Sequence, residues 1–391
     1  GQASAQALIQ ADVERGFDLA SGPLLRASLL RLSNQVHILL LTLHHIVSDG
    51  WSLDVLTREL VALYGAHAGG RASGLAPPQL QYADYALWQR DWLQGEALDR
   101  QMAYWRGQLA GAPTILELPA DRPRPATASF RGALLSFSLT PALSEGLGRL
   151  ARDQGATLYM VLMAAFQVVL GRWSGAQDLV VGSPIAGRTH RRLEDLIGFF
   201  VNMLALRGDL TGDPSFADLV GRTKETALQA YAHQDLPFER LLGELELSRD
   251  LSRQPLIQTT FVLQNTPGAA MALEGLTLSS LSGEHVTSKF DLSLGMWETP
   301  QGLAGAIEYA TDLFDAATME RFAGHLRRVL EQVVADPRRR LSQLELLGAE
   351  ERALVLSGWN APRRELASPR SLPWLFAEQA MLRPEAIAVV H

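Results

Sequence analysis

Residues 41–52 read LTLHHIVSDGWS. Two adjacent histidines, His44 and His45, end an aliphatic run, and Asp49-Gly50 follows at the spacing HHxxxDG. Three chemistries compete for such a cluster. A metal site is poorly served, because neighbouring residues on a strand point to opposite faces, and the chain has neither a cysteine nor an HExxH spacing. Packed histidines satisfying local carbonyls would account for the imidazoles and leave the aspartate and glycine unexplained. In acyl-transfer chemistry one imidazole, fixed at a strand end, faces a cavity as general base while the carboxylate holds the loop. The glycine then lets backbone approach and leaves the next helix N-terminus free to offer amides to developing negative charge. No serine or cysteine nucleophile is evident, so direct attack by an amine or alcohol on an activated acyl group is the simpler scheme.

The surrounding pattern places this cluster at a strand–loop–helix junction. Residues 36–43 (VHILLLTL) are continuously apolar and predict a strand buried on both faces. Ser52 is the expected N-cap of a helix with Leu53, Leu56, Leu60 and Leu63 on one face, ending at Gly69-Gly70. A second helix is expected around YADYALWQRDWL (82–93), where Tyr82, Tyr85 and Trp88 read as packing on one face and not as a ligand box. LPADRPRPA (118–126), with three prolines, predicts an extended surface connection between lobes. Beyond it, strands are expected near 133–139, 178–184, 256–265 and 303–310. Helices are expected from about Pro141, after a Thr157 cap, and after an Asp315 cap, the last ending before Pro337. This mixture predicts an α/β or α+β protein.

Composition narrows the classes further. A chain of 391 residues, 47% hydrophobic and 20% charged, is globular and long enough for a substantial core. With 35 basic against 42 acidic residues it offers no electrostatic footprint for nucleic acid. The absence of cysteine excludes disulfides and thiolate chemistry and fits a cytoplasmic location. The apolar run at 158–171 is shorter than the roughly 20 residues of a membrane span and reads as a core helix, so no membrane association is expected. The chain opens on glycine without a signal pattern, and AIAVVH (386–391) reads as a strand just beginning, so a fragment of something longer is expected.

LHHIVSDGWS resembles the HHxxxDG signature of condensation domains from nonribosomal peptide synthetases. YADYALW (82–88), IGFFVNMLALR (197–207), HQDLPFE (233–239) and RDLSRQPL (249–256) resemble the later motifs of that family, in its order and at similar spacing. LPADRPRP, VGSPIAGR (181–188) and KFDLSL (289–294) also resemble family segments. The resemblance implies a fold similar to chloramphenicol acetyltransferase: two lobes in a V, with mixed sheets and flanking helices. Residues 1–115 would be the remainder of the N-terminal lobe and 116–345 the C-terminal lobe. A linker would span 346–370, and 371–391 resembles the opening of an adenylation domain. The family's earliest motifs are absent, which would leave sheet edges uncovered.

The resemblance further implies amide formation between a donor thioester and the amine of an acceptor. Both would ride on phosphopantetheine arms of upstream and downstream peptidyl carrier domains, with no cofactor or metal bound directly. His45 would be the active imidazole, His44 a support pointing away from the cavity, and Gly50 the point of close substrate approach. Asp49 would pair with Arg188 and hold the histidine loop. Asn202 and Asp235 stand between lobe-contact structure and substrate-channel lining. Met203 occupies a position where the family often has threonine. The SDGWS continuation resembles domains that take an L-configured donor. Two other readings remain: a coenzyme A-dependent acyltransferase, whose plant-type DFGWG motif is missing here, and a non-catalytic docking lobe, against which the intact HHIVSDG argues.

Overall fold

The N-terminal histidine motif is carried by a small antiparallel ribbon, and the bulk of the core lies elsewhere. In a computed structural model, residues 2–245, 250–264, 272–273, 275–279, 287–361, 371–387 and 389 are described. Helix α1 (Gln2–Glu14) precedes β1 (Leu25–Arg31) and β2 (His37–Leu43), which pair with Leu25 opposite Leu43 and Leu30 opposite Ile38. Arg26 ties the ribbon to α1 through Asp12 at 3.1 Å. The strand forms where the apolar run predicts it, but the expectation of burial on both faces fails. Leu39 is 51% exposed and Leu29, on the partner strand, 68%. The physical reason is that a two-stranded ribbon offers no third layer of its own, and no further strand pairs with it among the described residues.

Helices α2 (Gly50–Ala68), α3 (Tyr82–Trp92) and α4 (Gly95–Leu109) follow. The leucine face expected on α2 is also largely open, with Leu53, Leu60 and Leu63 all exposed, while Ser52 and Val55 are the buried positions. The side of α2 that packs is the one bearing the polar residues of the motif.

The main core belongs to a six-stranded mixed sheet in the order β3 (Gly132–Ser138), β10 (Gly302–Ala310), β9 (Leu292–Thr299), β6 (Thr259–Gln264), β4 (Asp178–Ile185), β5 (Asn202–Asp209). A short pair, β7 (Ala272–Leu273) and β8 (Leu276–Thr277), stands apart from it. β10 runs antiparallel to both β3 and β9, β6 is parallel to both β9 and β4, and β5 closes the edge antiparallel to β4. Period-two burial along β10 (Leu303, Gly305, Ile307 and Tyr309 inward) is what a sheet packed on one side produces. Asn265, the last residue of the strand expected at 256–265, and Arg249, the first of RDLSRQPL, lie outside the described residues.

Helices α5 (Pro141–Asp153), α6 (Leu158–Ser174), α7 (Phe216–Ala232) and α9 (Ala316–Ala335) pack on this sheet, and α8 (Phe238–Glu244) adjoins β5. α6 is apolar all round because it is sandwiched: Val161 to Leu170 are buried on every face. Thr157 caps it, accepting from Met160 N at 3.3 Å. Phe166, fully buried against Phe261 and Phe322, is a single point of failure, since truncating such a residue to alanine costs about 3–5 kcal/mol.

The proline-rich segment 118–126 is more firmly held than a surface connection. Arg124 makes a two-pronged pair with Asp291, and Asp121 accepts from Asp315 N and Thr318 Oγ1, both at 2.8 Å. Asp315 sits at the N-cap position of α9, but its carboxylate goes to Arg122.

The chain divides into two units, residues 1–346 and 347–391. The second contains α10 (Ala349–Ala353), running into a wider helical turn at Leu354–Gly358, and α11 (Leu372–Leu382). Residues 362–370 of the expected linker, and 388, 390 and 391 of the expected terminal strand, lie outside the described residues. No single helix among the described residues is long and apolar enough to cross a membrane.

Candidate active site

The β1–β2 ladder continues one step past β2, with His44 N donating to Leu24 O at 3.0 Å. His44 then caps a single 3-10 turn, His45–Val47, its Nδ1 accepting from Ile46 N at 3.0 Å. An Nδ1 used as acceptor leaves Nε2 as the protonated nitrogen of the neutral ring. The His44 ring meets Phe17 edge-on at 5.7 Å. His45 points elsewhere: its imidazole is exposed and stands edge-on to Phe199 at 5.1 Å and 85°. The two rings therefore do not converge, and no group of three potential metal ligands gathers among the described residues.

Asp49, and not Ser52, is the N-cap of α2; its Oδ1 accepts from Ser52 N at 2.8 Å. The expected cap was displaced because Ser52 sits inside the first turn with its hydroxyl buried. That oxygen accepts from Gly198 N (3.1 Å) and Arg188 Nη2 (2.8 Å) and lies within donating distance of Asp49 Oδ1 (2.7 Å) and Gly198 O (2.8 Å). One hydroxyl proton serves only one of those two acceptors at a time. Gly50 occupies the first position of α2, exposed and with open space where a side chain would be.

Asp49 and Arg188 meet in this buried node. Arg188 Nη2 lies 3.2 Å from Asp49 Oδ1, while Nη1 donates to Leu196 O at 2.8 Å and to Leu193 O. Asp49 Oδ2 accepts from Phe200 N at 3.0 Å. The guanidinium lies 4.0 Å over the Phe200 ring. Burial pulls Arg188 below the ordinary arginine range, and the Asp49 carboxylate opposes the shift. Gly187, at φ +64°, makes the approach possible, because a Cβ there would strike the Phe200 carbonyl.

The tyrosines of α3 close the node from another side. Tyr82 and Tyr85 pack against Phe200, and Tyr82 Oη donates to Phe199 O at 2.7 Å. Burial pushes the Tyr85 phenol up to about 12, with Tyr82 and Asp235 adding to the shift. Trp51 Nε1 donates to Glu194 O at 2.8 Å. These contacts with the 193–200 segment had no sequence signal beyond the adjacency of SDGWS and GFF to better-marked residues.

Asn202 stands at the start of β5. Its Nδ2 donates to Gln234 O and Leu236 O, both at 2.8 Å, and its Oδ1 accepts from Met203 N and Phe238 N. Both donors and both lone pairs are occupied, so the side chain pins the 234–238 loop with no capacity left for a ligand. Asp235, in that loop, is half-buried and has Gln101 Nε2 at 3.5 Å. Burial raises its carboxyl above the usual carboxylate range. His233 ends α7 and stacks on Tyr104 at 4.1 Å. A cleft of about 460 Å³ opens between α3 and α8, lined by Ala86, Gln89, Arg90, Leu93, Pro237 and Arg240 among others; His45 is not part of it.

Comparison with known proteins decides the family. A family model described as "Condensation domain" matches residues 1–356. The chain belongs to the condensation-domain family. It is 51% identical over 361 residues to a linear gramicidin synthase polypeptide of Brevibacillus parabrevis, an alignment covering 92% of this chain and 5% of that protein. It is 44% identical over 391 residues to malpibaldin synthetase of Mortierella alpina, covering all of this chain and 7% of the relative. This condensation domain thus spans less than a tenth of the length of these curated relatives. Among solved structures it is similar to the X-domain from teicoplanin biosynthesis (TM-score 0.82, 35% identity, 88% of this chain and 79% of that one). It also shares its fold with the first condensation domain of the calcium-dependent antibiotic synthetase (TM-score 0.70, 24% identity, 88% and 75% coverage). The fold is chloramphenicol acetyltransferase-like, a mixed sheet with flanking helices. Condensation domains form amide bonds in nonribosomal peptide synthesis, and that is the activity of this family.

Proposed function

We propose that this domain joins a donor aminoacyl or peptidyl thioester to the amine of an acceptor aminoacyl thioester. In the step proposed, the acceptor nitrogen attacks the donor carbonyl, the C–S bond breaks, and the proton lost by the amine leaves with the pantetheine sulfur as a thiol. The observation that carries the reading is the exposed His45 imidazole, set at the end of β2 by a buried node of Asp49, Ser52 and Arg188. An α-amino group has a pKa of roughly 7.7–8.0, so much of it is already neutral near pH 7.5. His45 is therefore needed mainly to take the proton as the C–N bond forms. Alignment of two tethered reactants can supply roughly 7–11 kcal/mol more.

Donor and acceptor carrier domains are the partners in this reading, an adenylation domain supplies the loaded residues, and the reaction takes place in the cytoplasm. The Asp49–Arg188 pair and Gly50 serve the loop, not the proton. The Ser48–Ser52 stretch, SDGWS, supports an L-configured donor. Intact-mass measurement of acceptor carriers after mixing with L- or D-loaded donor carriers tests both points: the expected result is extension from the L-donor and none when His45 is alanine. Extension with His45→Ala would overturn the assignment, and preference for the D-donor would overturn the subtype. Carrier binding with no extension in the unaltered protein would favour a docking lobe instead.

A further inference from the structure

The assignment of His45 depends on where its ring is held, and a residue outside the signature holds it. We propose that Phe199 is a positioning residue for the His45 imidazole, with Ser52 and Tyr82 fixing it by clamping the backbone of residues 198–200. This inference rests on the reading of His45 as the proton-handling group.

No described residue makes a hydrogen bond to either ring nitrogen of His45. What orients the ring plane is the perpendicular contact with Phe199, centroid to centroid 5.1 Å. Such an arrangement brings the positive edge of one ring to the negative face of the other. It restrains the imidazole's plane while leaving both nitrogens free for substrate.

Phe199 in turn has little freedom. Its carbonyl accepts from Tyr82 Oη, the following amide of Phe200 donates to Asp49, and the preceding Gly198 engages Ser52 Oγ through its N–H. Three consecutive residues are thus tied to three side chains from α2, its cap and α3. Gly198 is needed for this closeness, since a Cβ there would enter the Tyr82 ring. The side chain of Phe199 is only half-buried, whereas Phe200 is fully buried beneath Arg188. The two phenylalanines of GFF therefore divide the work, one toward the imidazole and one toward the node.

The test uses the intact protein with preloaded donor and acceptor carriers, measuring kcat and the KM for each carrier. Phe199→Ala is expected to lower kcat by about ten- to a hundredfold, the scale on which misplaced groups lose rate, with both KM values within twofold. Phe199→Leu, which keeps bulk and removes the ring, should show a similar loss, and Phe199→Tyr should restore the rate. Tyr82→Phe, which frees the Phe199 carbonyl, should lower kcat severalfold. A wild-type kcat in Phe199→Ala or Phe199→Leu overturns the inference, as does a loss confined to KM or one that Phe199→Tyr fails to restore. His45→Ala run alongside separates the two readings. If it is inactive while Phe199→Leu is normal, only the present inference fails; if it is active, the role of His45 itself fails.

Discussion

Arg188 and Asp49, 139 positions apart, meet at 3.2 Å with 1% and 3% of their side-chain surfaces exposed. The pair joins the loop after β4 to the cap of α2, and so fixes the turn that carries His45 to the segment that carries Phe199. Breaking one partner of such a pair strands a charge out of water, which costs about 3–5 kcal/mol. Arg188→Ala should therefore lose that much stability by chemical denaturation. In the double variant Arg188→Ala/Asp49→Ala the two losses should be clearly less than additive. Additive losses would show that the two groups do not depend on each other.

His45→Ala should behave in the opposite way. The ring is exposed and outside the core, so its removal should change stability by no more than about 0.5 kcal/mol. Product formation should nevertheless fall by orders of magnitude. A matched thermal melt and extension assay checks both at once, and a variant that is inactive because it is unfolded would contradict this account.

Two glycines should respond with opposite signs. Gly187→Ala forces a side chain into the left-handed region, worth about 1–2 kcal/mol by itself, and onto the Phe200 carbonyl, so it should destabilise by more than that and lower soluble yield. Gly221 lies mid-helix in α7, exposed, with open space around it. Gly221→Ala should stabilise by about 0.5–1 kcal/mol. Denaturant midpoints of the two variants decide the matter.

Asp235 should leave a mark on the pH dependence of stability. Burial raises its carboxyl in the folded state above the unfolded value of about 3.9. Below that pH both states are protonated and nothing is lost. As pH rises from about 3.9 through the raised folded value, the folded state holds the extra proton, so stability falls with pH and then levels off. Asp235→Asn removes the titration: its advantage over the wild type should be smallest in acid, grow across that window and then plateau. A difference independent of pH would show that the carboxyl is not penalised by its surroundings.

What was legible in the sequence was local or periodic. α6 announced itself by an apolar run that only burial on all sides tolerates, and Thr157 by its place before that run. β4 and β10 were visible as β-rich stretches between turn residues. The HHxxxDG spacing placed His44 and His45 at a strand end, where the ladder and the 3-10 turn now hold them. The exposed faces of β2 and of α2 were not legible, because an apolar pattern states what a segment can bury and not whether a layer is there to bury it. Asp49 takes the cap while Ser52 sits in the first turn because Arg188 reaches both, Gly198 holds Ser52 and Phe200 holds Asp49, and none of the three is near them in the chain.

The sequence by itself therefore indicated α2, α3, α5, α6 and α9, the strands β2, β3, β4, β6 and β10, and which side chains could carry acyl transfer, since helix period, strand alternation and capping act between residues a few positions apart. Only the tertiary structure decided that Phe199 faces His45, that Asn202 spends three of its four hydrogen bonds on the 234–238 loop, and that Ser52 is a buried hub. Those outcomes depend on segments more than thirty and up to about 150 residues apart meeting at hydrogen-bond distance, which chain closure and packing fix and no local pattern encodes.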